Sequence, residues 1–110
     1  MGELSFKMNI YKYFVYTDGD RDWKLNGNLH RRDGPAVIMS GYSEEWFLNG
    51  LRHREDGPAY RDSEGNEEWY REHRLHRDDG PALIYALGAE WWTDGFRDYD
   101  KERNEKNNYA

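Results

Sequence analysis

Cysteine is absent from the 110 residues, which removes disulfides and thiolate metal sites and fits a reducing compartment. No apolar run approaches the ~18 residues a membrane-spanning helix needs. The first residues also lack a basic stretch followed by a continuous apolar core. Proline is scarce, with Pro35, Pro58 and Pro81 the only examples. Neither sign of charge stands alone: 22 Asp and Glu against 16 Lys and Arg leave −6, with the signs interleaved. Such mixing describes a solvated, ion-paired face rather than a field that steers one ligand. These absences lead us to expect a cytoplasmic protein with no membrane partner.

What the chain does have is repetition. Trp23 to Ala36, Trp46 to Ala59 and Trp69 to Ala82 are near-identical runs, each starting 23 residues after the last. A strict period of this length means one supersecondary unit copied in series, each copy burying its apolar surface against its neighbours. The 35% of charged residues would fit disorder, but 16% aromatics in register argue for folding. A stack this small has little room for a deep catalytic cavity, so function is sought on its surface.

Each unit is read as a β-hairpin. A short strand opens after Pro-Ala, turns near residues 40–41, 63–65 or 87–88, and returns carrying Trp. Along the returning strand Lys24, Phe47 and Tyr70 face away from Trp. Asn26-Gly27, Asn49-Gly50 and Asp94-Gly95 then supply the positive φ of a tight turn. Asp33, Asp56 and Asp79 are expected to cap their own turns. Gly34, Gly57 and Gly80 tolerate geometry a Cβ would resist, and the prolines need no ladder donor at a strand start.

The organisation follows: a single repeat domain over 1–100, with an N-terminal cap at 1–22, repeats at 23–45, 46–68 and 69–90, a degenerate cap at 91–100, and a polar tail at 101–110 that is a frayed helix or disordered. In the cap, Leu4, Phe6, Met8 and Ile10 alternate with polar residues. The fourth unit is one residue out of step, so Trp91 rather than Trp92 takes the Trp register.

The Trp-x-x-Asn-Gly-x-x-His pattern resembles the MORN-type repeat, over roughly residues 13–97. The chain departs from the common pattern where His-Gly-x-Gly would stand, having His-Arg-x-Asp-Gly-Pro-Ala, and so looks like the looser variant of phage and large-virus repeat proteins. The resemblance implies an all-β, elongated antiparallel sheet with a binding or scaffold role, and it transfers no catalytic residue.

His30, His53 and His76 invite a metal reading. With two strands added per repeat, equivalent side chains lie roughly 9–10 Å apart, too far to share an ion. We expect each to hydrogen-bond the inter-repeat turn, with the Asp of Asp-Gly-Pro as a ladder partner. No nucleophile motif or phosphate loop is present, and a residue set found in every copy builds the copy. We therefore expect no enzyme activity, no cofactor and no metal.

The expected function is binding of a protein partner, in a specific version a phage-encoded inhibitor of a host enzyme or defence complex acting in host cytoplasm, or an antitoxin-like protein. The candidate residues are the outward Phe47, Tyr70 and Trp92 with the loop of Arg71, Glu72, His73 and Arg74, where Glu72-His73 replaces Asn-Gly and should force a different turn. Arg52 also breaks rank, standing where the other copies have Leu29 and Leu75. Nucleic-acid contact through stacked aromatics and Arg31, Arg54 and Arg77 is the rival, disfavoured by acidic charge. A lipid-associated scaffold is a third reading, and open sheet edges leave room for homo-oligomers. Trp23, Trp46, Trp69 and Trp91 should be largely buried along one face.

Overall fold

A computed structural model describes the backbone of residues 8–108 and the side chains of residues 8–104. Leu4 and Phe6 of the expected alternating cap lie outside the described residues. The chain is all-β apart from one helix. Its strands are β1 Tyr11–Val15, β2 Arg21–Leu25, β3 Asn28–Leu29, β4 Val37–Met39, β5 Ser43–Glu45, β6 Phe47–Leu48, β7 Leu51–Arg52, β8 Tyr60–Asp62, β9 Glu67–Glu68, β10 Tyr70–Arg71, β11 Arg74–Leu75, β12 Leu83–Tyr85, β13 Gly88–Glu90, β14 Trp92–Thr93 and β15 Phe96–Arg97, followed by α1 Tyr99–Asn108.

These strands form one long antiparallel meander in the order β1-β2-β4-β5-β8-β9-β12-β13, with β3 also on β2 and with small hairpins β6-β7, β10-β11 and β14-β15 beside it. The extents of 66 × 44 × 16 Å make it thin in one direction, and the radius of gyration is 17.7 Å. A compact chain of this length would have a radius of about 13 Å. The sheet therefore has no second layer to bury a large core against, and the only buried hydrophobic residues among those described are Ala36, Ala59 and Ala82, each fully covered.

The same backbone bonds recur from copy to copy. Trp23, Trp46 and Trp69 each donate an N–H to the carbonyl of Ala36, Ala59 and Ala82, and each accepts at its own carbonyl from His30, His53 and His76. One Trp peptide thus holds both ends of the following His-Arg-x-Asp-Gly-Pro-Ala loop. The partner strand leaves the ladder at His and rejoins it at Ala. In the first copy β2 runs straight through Trp23, whereas in the later ones regular pairing is interrupted at Trp46, Trp69 and Trp91.

Two expectations are corrected here. Glu72 and His73 do not reshape their turn: both adopt positive φ, 49° and 66°, alongside 52° and 83° at Asn26-Gly27 and 49° and 80° at Asn49-Gly50. The neighbouring copy enforces this, because the Glu72 N–H donates to His53 Nδ1 and the His73 N–H to the Arg52 carbonyl. Of its two expected forms the C-terminal segment takes the helical one, and what is corrected is its start. Helix α1 starts before residue 101, with Asp98 Oδ1 accepting the Lys101 N–H as its N-cap.

Helix α1 stands where the next loop would be. Asp98 donates its N–H to the Trp91 carbonyl, and Glu102 Oε1 accepts the Trp91 N–H at 3.0 Å, replacing the alanine carbonyl of the earlier copies. Glu102 also pairs with Arg97 at 2.9 Å, and Lys101 lies 5.3 Å from the centre of the Trp91 ring. Removing the Glu102 carboxylate should therefore open this end of the sheet. Glu102→Ala is expected to destabilise the chain by about 1–3 kcal/mol in thermal melts and to speed exchange of the Trp91 amide. A loss under about 0.5 kcal/mol, ordinary for a surface change, would mean the helix is no cap.

Candidate functional site

Each loop is filled from within by its arginine. The guanidinium carbons of Arg31, Arg54 and Arg77 lie 3.9 Å from the ring centres of Trp23, Trp46 and Trp69. Each Nη1 donates to the carbonyl of Pro35, Pro58 or Pro81 at 3.2 Å. Each Nε meets the carboxylate of Asp33, Asp56 or Asp79, at 3.2, 3.4 and 3.0 Å. A Cβ on Gly34, Gly57 or Gly80 would stand 2.6–2.7 Å from the guanidinium carbon. The glycines are thus required by the arginine packed on them. None of the three has the positive φ that elsewhere in the chain favours glycine.

This changes the roles expected of the repeated residues. The Asp of Asp-Gly-Pro serves the arginine, and the histidine finds its acid one residue earlier. His53 Nε2 meets Glu55 Oε1 and His76 Nε2 meets Asp78 Oδ1, both at 2.9 Å. In the first copy that position is Arg32. The inter-repeat bond is as expected: His30, His53 and His76 accept at Nδ1 from the N–H of Asn49, Glu72 and Asp94, at 2.9–3.0 Å. An accepting Nδ1 carries no proton, so these rings are bonded in the neutral form with hydrogen on Nε2. Burial, and then the charge of Arg32, pull His30 below its usual range.

Trp23, Trp46, Trp69 and Trp91 are largely covered but not fully buried, because a single layer cannot enclose them. Phe47, Tyr70 and Trp92, expected to face outward, fall in the same range. On their side the register aligns Asp22, Val37, Glu45, Tyr60, Glu68, Leu83 and Glu90 across the sheet. Arg52 reaches into this row, 3.2 Å from Glu45 and 3.7 Å from Glu68, and within 6 Å of the Phe47, Tyr60 and Tyr70 ring centres. Its departure from leucine is thus a charge-balancing contact. Tyr70 donates its hydroxyl to Glu68, and Trp92 Nε1 donates to Glu90.

Arg71, Glu72, His73 and Arg74 are exposed. His73 stacks on Tyr70 with ring centres 6.3 Å apart. The hairpins bearing these turns stack on one another: Gly50 lies against Asn28, and Gly95 against the stem of Arg74. Along them Leu51 is 45% and Phe96 78% exposed. The concavities are shallow clefts, such as one of about 280 Å³ between successive loops lined by Arg54, Glu55, Trp69, His76 and Arg77. Among the described residues no His, Asp and Glu cluster is arranged to hold a metal ion, and no helix is long and apolar enough to cross a membrane.

Sequence reasoning passed over Phe96, Glu102 and the residues of β1. The first two sit beyond the last full repeat, where the motif gives no register. Set against protein families, curated proteins and solved structures, the chain matches none.

Two outcomes test this arrangement. Gly57→Ala should destabilise by about 1–3 kcal/mol through overpacking, and by clearly less in an Arg54→Ala background, because the clash is with that side chain. Equal losses in both backgrounds would place the cause elsewhere. His30 should titrate below 6.5 by NMR. As pH falls, the unfolded chain then takes up the proton first, so the stability from neutral His30 is present above about 6.5 and lost as pH drops through that value toward the folded pKa. Arg32→Glu should raise the midpoint by removing the repelling charge.

Proposed function

We propose that this chain is a non-enzymatic, MORN-like β-repeat module that binds a protein partner along its row of stacked hairpin turns. The observation carrying this reading is the Glu72-His73 turn, which holds two side-chain-bearing residues at positive φ where its siblings use Asn-Gly. Each such residue costs about 1–2 kcal/mol relative to an unstrained backbone. Strain kept at an exposed position points to a use for the side chains displayed there. Arg71, Glu72, His73 and Arg74 share that edge with Leu51 and Phe96, giving apolar anchors among polar and charged groups, a composition common in protein interfaces. Tyr70, stacked on His73, is half-buried, as are Phe47 and Trp92 at the matching places of the neighbouring hairpins.

The nucleic-acid alternative drew on Arg31, Arg54 and Arg77, whose guanidinia are already committed to tryptophan faces and proline carbonyls. A lipid scaffold has little support in an acidic chain. The finer reading is an inhibitor of an enzyme or defence complex acting in the cytoplasm, the host's if the protein is phage-encoded. Cysteine-free composition favours that compartment.

Affinity capture from lysate with mass spectrometry, run in parallel on the unaltered chain and a Glu72→Asn/His73→Gly variant, tests the proposal. Relief of strain should stabilise the variant by about 1–3 kcal/mol in thermal melts, while the captured partner is lost or reduced. Phe47→Ala and Tyr70→Ala should weaken binding by about 1–3 kcal/mol. Undiminished capture by the more stable double variant would show the turn to be a tolerated drift and the binding surface to lie elsewhere.

A further inference from the structure

The two ends of the sheet are finished differently. At one end α1 supplies the two Trp91 bonds that the loop makes in earlier copies, beside the short edge strand β13, which carries no large apolar side chain. At the other end β1 is bonded along one side only among the described residues, and all five of its residues are exposed. Of the large hydrophobic side chains left exposed, Met8, Ile10, Tyr11, Tyr13, Phe14, Val15 and Tyr16 fall in this one stretch. Strand edges that must stay single are blunted by proline, bulges or inward charge. Here the strand is unbroken, and Lys12 is its single charge.

The parity of the bonds fixes which groups are free. Asn26 donates its N–H to the Ile10 carbonyl and Tyr16 donates to Asp20, so the even residues of this stretch, Lys12 and Phe14 included, bond toward β2. On the far side of β2 the odd residue Trp23 bonds to Ala36, as that parity requires. Tyr11, Tyr13 and Val15 therefore direct their N–H and C=O groups out of the sheet edge. Their side chains share the face of Trp23, on which Tyr13 stacks at 4.7 Å.

We propose that β1 joins β1 of a second copy about a two-fold axis at Tyr13, making one continuous antiparallel sheet from two chains. The strand is self-complementary in that register. Tyr13 pairs with Tyr13, Tyr11 with Val15, and the pairs with outward backbone groups become the hydrogen-bonded ones. Lys12 falls opposite Phe14, where its aliphatic stem lies along the ring. On the Trp23 face, Tyr11, Tyr13 and Val15 of both copies form one apolar strip. With exposures of 37–78% over the seven residues of this stretch, and about 200 Å² on a fully exposed aromatic, each copy has on the order of 800 Å² of exposed side-chain surface here, an upper bound on what the pairing buries and comparable to one side of a standard interface.

This inference uses a different edge from the proposed partner-binding row and stands or falls separately. Sedimentation or light scattering over a wide concentration range should give twice the chain mass at high concentration and a single mass on dilution. In Val15→Pro the missing N–H is one that points outward, so bonding to β2 survives, and the dimer dissociation constant should rise roughly tenfold or more. Tyr11→Glu, which sets two carboxylates into the apolar strip, should act likewise. Unchanged far-ultraviolet circular dichroism identifies a folded variant. Hydrogen exchange supplies the second readout: Tyr11, Tyr13 and Val15 amides should be protected only when dimeric, and Lys12 and Phe14 amides at every concentration. A monomer at all concentrations, or odd-residue protection that persists on dilution because the edge is covered from within the chain, would overturn the proposal.

Discussion

The structure depends on how one tryptophan peptide and its ring close a seven-residue excursion of the neighbouring strand. The backbone of Trp46 holds His53 and Ala59, the two ends of the loop, while its ring receives Arg54, which the loop carries back over it. Arginine suits this position and lysine does not, because a planar guanidinium can stack on the indole while donating sideways to the Pro58 carbonyl and facing the Asp56 carboxylate as an ion pair. The glycine follows from the arginine, and the alanine that closes the loop is fully buried where its carbonyl meets the tryptophan N–H.

Such a unit explains how a chain with 36% hydrophobic residues folds without a large core. Among the described residues no large side chain is fully buried. Stability is spread instead over many partly covered contacts, in which the stems and planes of charged residues do the covering. Copies are joined by groups that every copy owns: a histidine Nδ1 reaching the next turn, a carbonyl reaching the next amide, a strand pairing with the next hairpin. Each copy leans only on its neighbours, so the ends need separate solutions.

The period, the strand and turn positions, and the structural nature of the repeated histidines were legible in the sequence because each is local or recurs. Two interactions were not legible. Arginine on tryptophan spans eight residues through a loop whose course cannot be deduced from alternation, so the glycine of Asp-Gly-Pro was assigned the wrong reason and its aspartate the wrong partner. The turn at Glu72-His73 defied local propensity because His53 and Arg52 in the preceding copy accept its amides and hold it in the sibling shape. Tertiary context overrode the local preference for Asn-Gly. Beyond Trp91 the motif stops, and with it the register that would have shown Glu102 standing in for an alanine carbonyl. Phe47, Tyr70 and Trp92 are covered as much as the tryptophans, rather than forming an open outward row, for a related reason. With a single layer, both rows of aromatics are covered only by their own neighbours.

The acidic charge has the same local logic. Asp22, Glu45, Glu68 and Glu90 hold the position before each Trp or, in the last unit, before the Trp pair, and each is engaged within the sheet. Tyr16 donates to Asp22, Tyr70 to Glu68, and Tyr85 to Glu90, while Arg52 bridges Glu45 and Glu68. A row of carboxylates on alternate strands, with Val37, Tyr60 and Leu83 between them, would repel if left bare. Phenol donors and the one inserted arginine make it stable, and that is why Arg52 departs from its leucine siblings while Phe47 and Tyr70 close around it. The deviation at Arg52 is therefore consumed in balancing the scaffold. Among the described residues, what the copies do not need from one another are the side chains displayed at residues 71–74 with Phe96 beyond them, and the outward backbone of β1.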